Sequence, residues 1–140
     1  MHKIQIISAT NDKNLDLANS IQSTLIEATK YVNKASAPID CPGIISLESL
    51  QLPLFSFGVK ANEEVLNGLV NSILEAKSFI FCAPEYDGGV PPVLSNALTW
   101  ISVQTKDWRE AFNNKIALVA SHSGGDGFRF LRLFGYNWNT

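Results

Sequence analysis

Residues 83–92, Ala-Pro-Glu-Tyr-Asp-Gly-Gly-Val-Pro-Pro, have the types and spacing that could do chemistry. A short apolar run over residues 79–82 stops just before them, and a helical apolar pattern begins after the two prolines. Ligands of open α/β sheets bind where a strand gives way to a helix in this manner. Tyr86 could stack on a planar ligand, and Gly88 and Gly89 would let the main chain approach it closely. We call this segment loop B; the alternative is a polar turn with a surface tyrosine.

Loop A, residues 8–14, reads Ser-Ala-Thr-Asn-Asp-Lys-Asn and follows another apolar run. Its hydroxyls and amides, together with a helix N-terminus, could hold a phosphate, and Lys13 could add a positive charge. It has neither the GxxxxGK pattern of a P-loop nor the GxGxxG pattern of dinucleotide folds. The alternative, at least as well supported by the residues alone, is that the Ser, Thr and Asn side chains only cap the first helix.

Loop C, residues 121–127, reads Ser-His-Ser-Gly-Gly-Asp-Gly and also follows an apolar run. Its glycines would leave backbone N–H groups free for an acceptor-rich ring. His122 could act as a general base, but no acidic partner stands beside it in sequence, so an ordinary loop histidine is the favoured interpretation. We predict no catalytic residue and no metal ligand, because neither a Ser-His-Asp order nor a metal-ligand cluster is present.

Alternating strands and helices must position these loops. Apolar runs predict strands over residues 3–8, 43–47, 77–83 and 115–121. Helical periodicity predicts helices over residues 15–32, 63–74 and 91–103, and a fourth from residue 128. This alternation predicts an α/β fold with a doubly wound parallel sheet and helices on both faces, in a single domain over residues 1–140. Loops A, B and C should then converge at one edge of the sheet.

Composition excludes several classes of function. The chain is 46% hydrophobic and 17% charged with a formal net charge of −2, and no Lys/Arg cluster supports nucleic-acid binding. No apolar run approaches the length of a membrane span, and the N-terminus enters a strand pattern at once, so we expect a cytoplasmic protein without a signal peptide. Cys41 and Cys82 fit neither a CxxC motif nor a zinc spacing.

Residues 84–91, with Leu94, Asn96, Ala97 and Trp100 behind them, resemble the PEYN-G-x-x-P…LKNAIDW signature of the NADPH-dependent FMN reductase family. The resemblance runs in order over nearly the whole chain. It implies a flavodoxin-like fold with strand order 2-1-3-4, and an oxidoreductase that passes electrons from NADPH or NADH through FMN to a quinone-like or other small acceptor. It also implies a homodimer or homotetramer, for which residues 55–57 (Phe-Ser-Phe) and Trp108 are candidate apolar contacts that could equally be local core.

The resemblance further implies that loop A holds the FMN phosphate and that loops B and C border the flavin ring. The cofactor-binding residues that it implies are Ser8, Thr10, Lys13, Asn14, Leu15, Pro84, Glu85, Tyr86, Asp87, Gly88, Ser121, Ser123, Gly124 and Gly125. The chain departs from the family pattern in three places: loop A lacks the usual arginine, so that Lys13 would act as a point charge, Asp87 replaces the asparagine of PEYN, and Pro92 stands where a glycine is common.

The family fold has five parallel strands, but the pattern here supplies four, so we expect the last strand to be an apolar edge. We therefore expect a shortened member, a fragment, or a chain that leans on a partner subunit. Asp87, the missing arginine and this edge motivate an alternative function, a non-catalytic or degenerate flavin-binding or interaction protein with the same fold. A flavodoxin electron carrier is a third possibility, but its T-x-T-G-x-T loop and strong acidity are not seen.

Overall fold

The computed structural model of the chain describes residues 1–32, 38–107 and 109–139, with side chains described as far as residue 135. Within these ranges strands and helices alternate. The strands are β1 (His2–Ser8), β2 (Ile39–Asp40), β3 (Ile45–Ser46), β4 (Ser78–Cys82) and β5 (Ile116–Ala120). The helices are α1 (Lys13–Thr29), α2 (Glu63–Glu75), α3 (Pro92–Gln104) and α4 (Phe128–Asn139), and a 3₁₀ turn spans Glu48–Leu50.

The strands form one parallel sheet in the order β2-β1-β4-β5, and β3 also pairs with β1. β2 and β3 together take the place of the second predicted strand, so the predicted order 2-1-3-4 is confirmed. The helix starts follow local chemistry. Asn62 caps α2 by accepting a hydrogen bond from the Val65 N–H at 3.1 Å, and a proline at the first position opens α3.

The second predicted strand differs in detail from the structure. The apolar pattern predicts it over residues 43–47, but only Ile45–Ser46 pairs there, and Ile39–Asp40 pairs separately near the start of β1. Pro42 lies between the two pieces and has no N–H to give to the ladder. The buried side chain of Gln5 partly fills this gap, because its amide donates to the carbonyl oxygen of Gly43 at 3.0 Å.

Apolar layers cover both faces of the sheet. On one face α2, α3 and α4 pack around Phe79 and Phe81, and the rings of Phe81 and Phe134 lie 5.0 Å apart between centroids. On the other face Ala18 of α1 packs against Ile80 and its neighbours. These two layers hold β1 and β4 at the centre of the fold, so the loops that follow these strands start from a rigid base.

β5 forms the predicted apolar edge, because among the described residues it pairs with β4 alone. Its Ala117 and Val119 pack into the layer of α2, α3 and α4. Ile116 and Leu118 point the other way and are 77% and 56% exposed. In the described ranges of the chain, none of the helices is both long enough and apolar enough to cross a bilayer.

Candidate functional site

Loops A, B and C begin side by side, as the sequence predicted. The strand register places Ser8 opposite Cys82, and Cys82 opposite Ala120, so the carboxyl ends of β1, β4 and β5 are level. Three polar loops therefore leave the sheet in a row, at the edge where open α/β sheets bind ligands. Hydrogen bonds between the loops then fix their mutual positions.

Asn14 joins loop A to loop C. Its side chain is 1% exposed, its Nδ2 donates to the His122 carbonyl at 2.9 Å, and its Oδ1 accepts from the His122 N–H at 2.9 Å. The amide side chain thus makes the paired bonds that a neighbouring strand would make. Both polar backbone groups of His122 are satisfied in this way, while the imidazole ring is exposed.

Glu85 joins loop B to loop C and to helix α4. Its N–H donates to Ser123 Oγ at 2.8 Å, and Ser123 Oγ lies 3.0 Å from Ser121 Oγ. Its carboxylate Oε2 accepts from the N–H groups of Arg129 and Phe130 at 3.0 and 3.3 Å. These N–H groups belong to the first turn of α4 and have no partner within the helix. A carboxylate from another loop therefore caps this helix.

The tip of loop B is a tight turn. The backbones of Tyr86 and Gly89 exchange hydrogen bonds at 2.9 and 3.3 Å, and the two residues between them, Asp87 and Gly88, have φ angles of 50° and 68°. Such a turn favours Asp or Asn followed by Gly, so Asp87 suits the conformation as well as the asparagine that it replaces. The positive φ of Gly88 favours glycine, and a side chain there would also displace the end of the Arg129 side chain, whose Nη1 would lie 2.9 Å away.

The residues behind loop B have a structural task. Asn96 accepts from the Phe55 N–H at 2.8 Å and donates to the Pro53 carbonyl at 2.9 Å. The indole of Trp100 donates to the same carbonyl at 2.7 Å. The asparagine and tryptophan of the motif therefore hold the segment around Phe55 on α3.

Loop A is organised around Asp12, which the sequence analysis did not single out. Asp12 Oδ1 accepts three hydrogen bonds, from Thr10 Oγ1 at 2.7 Å, from the Asn14 N–H at 2.9 Å and from Asn14 Nδ2 at 3.2 Å. Partial burial raises the pKa of Asp12, but the hydrogen bonds from Asn14 and Thr10 outweigh it and leave the pKa below its ordinary value. Asp12 is therefore the charged N-cap of α1. A cap-type residue just before a helical pattern is the sequence signal that could have found it.

The other predicted residues in and just after loop A are buried or pair within the chain. Ser8 is fully buried, and its hydroxyl donates to the Thr10 carbonyl at 2.7 Å. Leu15 lies in the first turn of α1, and its N–H donates to the Asp12 carbonyl at 3.0 Å. Lys13 is exposed and lies 3.4 Å from Asp16.

Loop C offers an open backbone next to loop B. Added side chains at Gly124 or Gly125 would meet no atom within 4 Å, so the space above them is free. At the other end of the loop Gly127 has a φ of 67°, and a side chain there would meet Ser121 Oγ at 2.8 Å. The described residues contain no group of three or more His, Cys, Asp or Glu side chains that could hold a metal ion.

Comparison with known proteins assigns the chain to a family. The sequence pattern of the family described as NADPH-dependent FMN reductase matches residues 3–131. The chain belongs to the NADPH-dependent FMN reductase family. This confirms the resemblance that loop B and the residues behind it suggested.

Two curated relatives of this FMN reductase family member carry related names. An NADPH:quinone oxidoreductase from Arabidopsis thaliana is 35% identical over 111 residues, which are 77% of this chain and 54% of that protein. An NADH-dependent flavin reductase subunit from Lactobacillus johnsonii is 32% identical over 78 residues, 56% of this chain and 42% of that protein. The chain thus spans about half the length of the curated relatives that it matches.

Solved structures of distant flavoenzymes share the fold. An azoreductase from Bacillus anthracis superposes with a TM-score of 0.65 at 15% identity, over 99% of this chain and 80% of that one. The flavoenzyme FerB from Paracoccus denitrificans gives a TM-score of 0.63, again at 15% identity, over 99% of this chain and 71% of that one. The fold is therefore flavodoxin-like, as predicted.

The site of this family member fits the two ends of FMN unequally. In loops B and C, where the sequence predicts the ring, Tyr86 is 46% exposed beside a tight turn, and Gly124 and Gly125 have free space above them. These features suit a flat ligand. In loop A, where the sequence predicts the phosphate, Thr10 and Asn14 already donate to a carboxylate of the chain itself. Loop A as it stands therefore suits a phosphate poorly.

Proposed function

We propose that this chain is the flavin-binding domain, over residues 1–140, of an FMN-dependent NAD(P)H oxidoreductase that acts on a quinone-like or other small acceptor. Membership of the FMN reductase family supports this proposal. The observation that carries it is the hydrogen-bonded convergence of loops A, B and C at the carboxyl edge of the sheet. A bound flavin would supply the redox chemistry, accepting hydride from the nicotinamide and releasing electrons to the acceptor.

The residues of this chain would bind and orient the ring. Tyr86 would cover one part of it, and the main chain at Gly124 and Gly125 could approach it because no side chain intervenes. Pro84, Asp87, Gly88, Ser121 and Ser123 would act through the shape of loops B and C. No acid–base pair from the protein is needed, because placement of the ring beside the donor is the protein's main contribution.

Flavin titration tests this proposal. The purified protein should quench flavin fluorescence and show a flavin absorption band, and it should oxidise NADPH or NADH when a quinone is added. Tyr86→Ser should weaken flavin binding about tenfold, because aromatic contacts contribute about 0.5–1.5 kcal/mol beyond buried area. Tyr31→Ser is the matched control, since Tyr31 is 80% exposed and lies at the end of α1, outside loops A, B and C.

The same experiment separates the alternatives. Bound flavin without oxidation of NADPH or NADH would favour the non-catalytic flavin-binding protein, for which the Asp12 carboxylate in loop A is a specific reason. Absence of flavin binding at micromolar concentrations would contradict both.

We also propose a homodimer or homotetramer in the cytoplasm. Phe57 is 95% exposed, and its ring lies 5.7 Å from that of Phe55, which packs on Trp100. Phe55 is therefore tied to the core and Phe57 is the candidate contact, while Trp108 lies outside the described residues. Phe57→Ser should lower the mass measured by light scattering if this surface joins two copies. Two free cysteines accord with a reducing compartment.

A further inference from the structure

Carboxylates of the chain accept hydrogen bonds from two backbone N–H groups of loop A, those of Asn11 and Asn14, and from the side chains of Thr10 and Asn14. Asp12 Oδ1 accepts from Thr10 Oγ1, from the Asn14 N–H and from Asn14 Nδ2. These are a hydroxyl, a backbone amide and a side-chain amide, the donors from which phosphate sites at helix N-termini are built. The carboxylate thus accepts the hydrogen bonds that these donors could otherwise give to an anionic ligand.

A second carboxylate, that of Glu48, contacts loop A from a neighbouring turn. Its Oε2 accepts from the Asn11 N–H at 2.5 Å. Glu48 belongs to the 3₁₀ turn behind β3, and this turn is fixed to loop A because Leu47 donates to the Ser8 carbonyl at 2.9 Å and Glu48 donates to the Ala9 carbonyl at 3.2 Å. The main chain of Glu48 is therefore held beside loop A by backbone bonds, and its carboxylate by the bond from the Asn11 N–H.

Positive charge in loop A does not offset these carboxylates. Lys13 is the only basic residue in residues 8–16, and it pairs with Asp16. Asp12, Asp16 and Glu48 carry three negative charges against the one positive charge of Lys13, a formal excess of two. A phosphate monoester carries about −1.5 to −2 at neutral pH, so it would meet like charge at this position.

We propose that Asp12, with Glu48 beside it, is a specificity-determining residue that removes the advantage of a phosphate group on the flavin. This inference rests on the proposed function, because it concerns which flavin the site accepts. The ring would be selected by loops B and C, and the phosphate would contribute nothing at loop A. The chain should therefore bind riboflavin, which has no phosphate, about as tightly as FMN.

The test compares FMN and riboflavin on the full chain by fluorescence titration. Asp12→Asn removes the charge and keeps a residue that caps helices as well as Asp does. It should tighten FMN binding about tenfold or more, because it removes the repulsion between a carboxylate and the phosphate, and leave riboflavin binding within about twofold. Glu48→Gln should act in the same direction. Glu64→Gln is the matched control, since Glu64 is an exposed acid in the first turn of α2, outside loop A, and its loss should change the FMN-to-riboflavin ratio little.

Two results would overturn the inference. One is a wild-type protein that binds FMN more than about tenfold tighter than riboflavin. The other is an Asp12→Asn variant with an unchanged ratio.

Inorganic phosphate gives a readout that does not depend on flavin. Millimolar phosphate should raise the melting temperature of the Asp12→Asn, Glu48→Gln double variant and leave that of the wild type unchanged. If neither the wild type nor the double variant binds FMN or riboflavin, but phosphate stabilises only the double variant, the proposed function fails and the assignment of Asp12 stands. If phosphate stabilises the wild type equally, the assignment of Asp12 is wrong whatever the flavin result.

Discussion

The bond between Glu85 and helix α4 is open to a direct test by Glu85→Ala and Glu85→Gln. The alanine variant removes both hydrogen bonds to the Arg129 and Phe130 N–H groups, at 3.0 and 3.3 Å. The glutamine variant removes the charge but keeps an acceptor oxygen at the same place. Both leave the bond from the Glu85 N–H to Ser123 intact, because that bond comes from the backbone.

The expected loss of stability follows from the role of Glu85 as a cap at the N-terminus of α4. Loss of an N-cap side chain costs about 0.5–2 kcal/mol, and a charged acceptor near a helix N-terminus lies toward the upper end of such values. We therefore expect Glu85→Ala to lower the free energy of unfolding by about 1.5 kcal/mol, which corresponds to about 5 °C in melting temperature for a domain of this length. Glu85→Gln should cost about half as much, because a neutral acceptor still satisfies the N–H groups.

The assay is urea unfolding of the flavin-free protein, followed by amide hydrogen exchange. Glu64→Gln is the matched control, because Glu64 is an exposed acid in the first turn of α2, where Asn62 rather than Glu64 caps the helix. Exchange of the Arg129 and Phe130 amides should speed up in Glu85→Ala and stay unchanged in Glu64→Gln. If Glu85→Ala is no less stable than Glu64→Gln, and these two amides keep their protection, then Glu85 does not cap α4.

Three further predictions concern other parts of the fold. Asn14→Ala should lower the free energy of unfolding in urea by about 2–3 kcal/mol, because it leaves the N–H and the carbonyl of His122 without their hydrogen-bond partner. Asn19→Ala should change it little, because Asn19 is exposed. Lys115→Met should cost about 1–2 kcal/mol by the same assay, because Lys115 Nζ donates to the last carbonyls of α2 at 2.9 and 3.0 Å; an unchanged midpoint would contradict this. Burial raises the pKa of Cys82 to about 11, so the thiol should resist Ellman's reagent in the folded protein at pH 8 and react on unfolding. As the unfolded thiol ionises near pH 9 and the folded one near 11, stability should fall as the pH rises through this range.

The sequence predicted the parts of this fold that depend on periodicity. β1, β4, β5 and the helices were read from apolar spacing, and the convergence of the three loops followed from the parallel order. Bonds between distant residues could not be read in the same way. Asn14 and His122 are 108 positions apart, and Glu48 reaches Asn11 across 37, so no local pattern reports them.

The family resemblance does not distinguish residues that contact a cofactor from residues that position a loop. Asn14 and Glu85 were predicted to contact a cofactor, and that remains a prediction. In the structure both side chains bind backbone groups of a neighbouring loop or helix. Sequence patterns mark such residues equally, because a residue that positions a loop and a residue that contacts a ligand occupy the same motif.

The position of loop B follows helix α4 rather than β4 alone. Glu85 binds the first turn of α4, and Gly88 lies against the Arg129 side chain. The helix is held in turn by Phe130 and Phe134, which pack in the same layer as Val119 of the edge strand β5. A change in the packing of β5 would therefore affect the turn at Tyr86 through helix α4 and the two hydrogen bonds that Glu85 accepts from it. In this chain the exposed edge and the candidate ring site belong to one connected unit, so loss of order at the edge should weaken flavin binding before it unfolds the centre of the sheet.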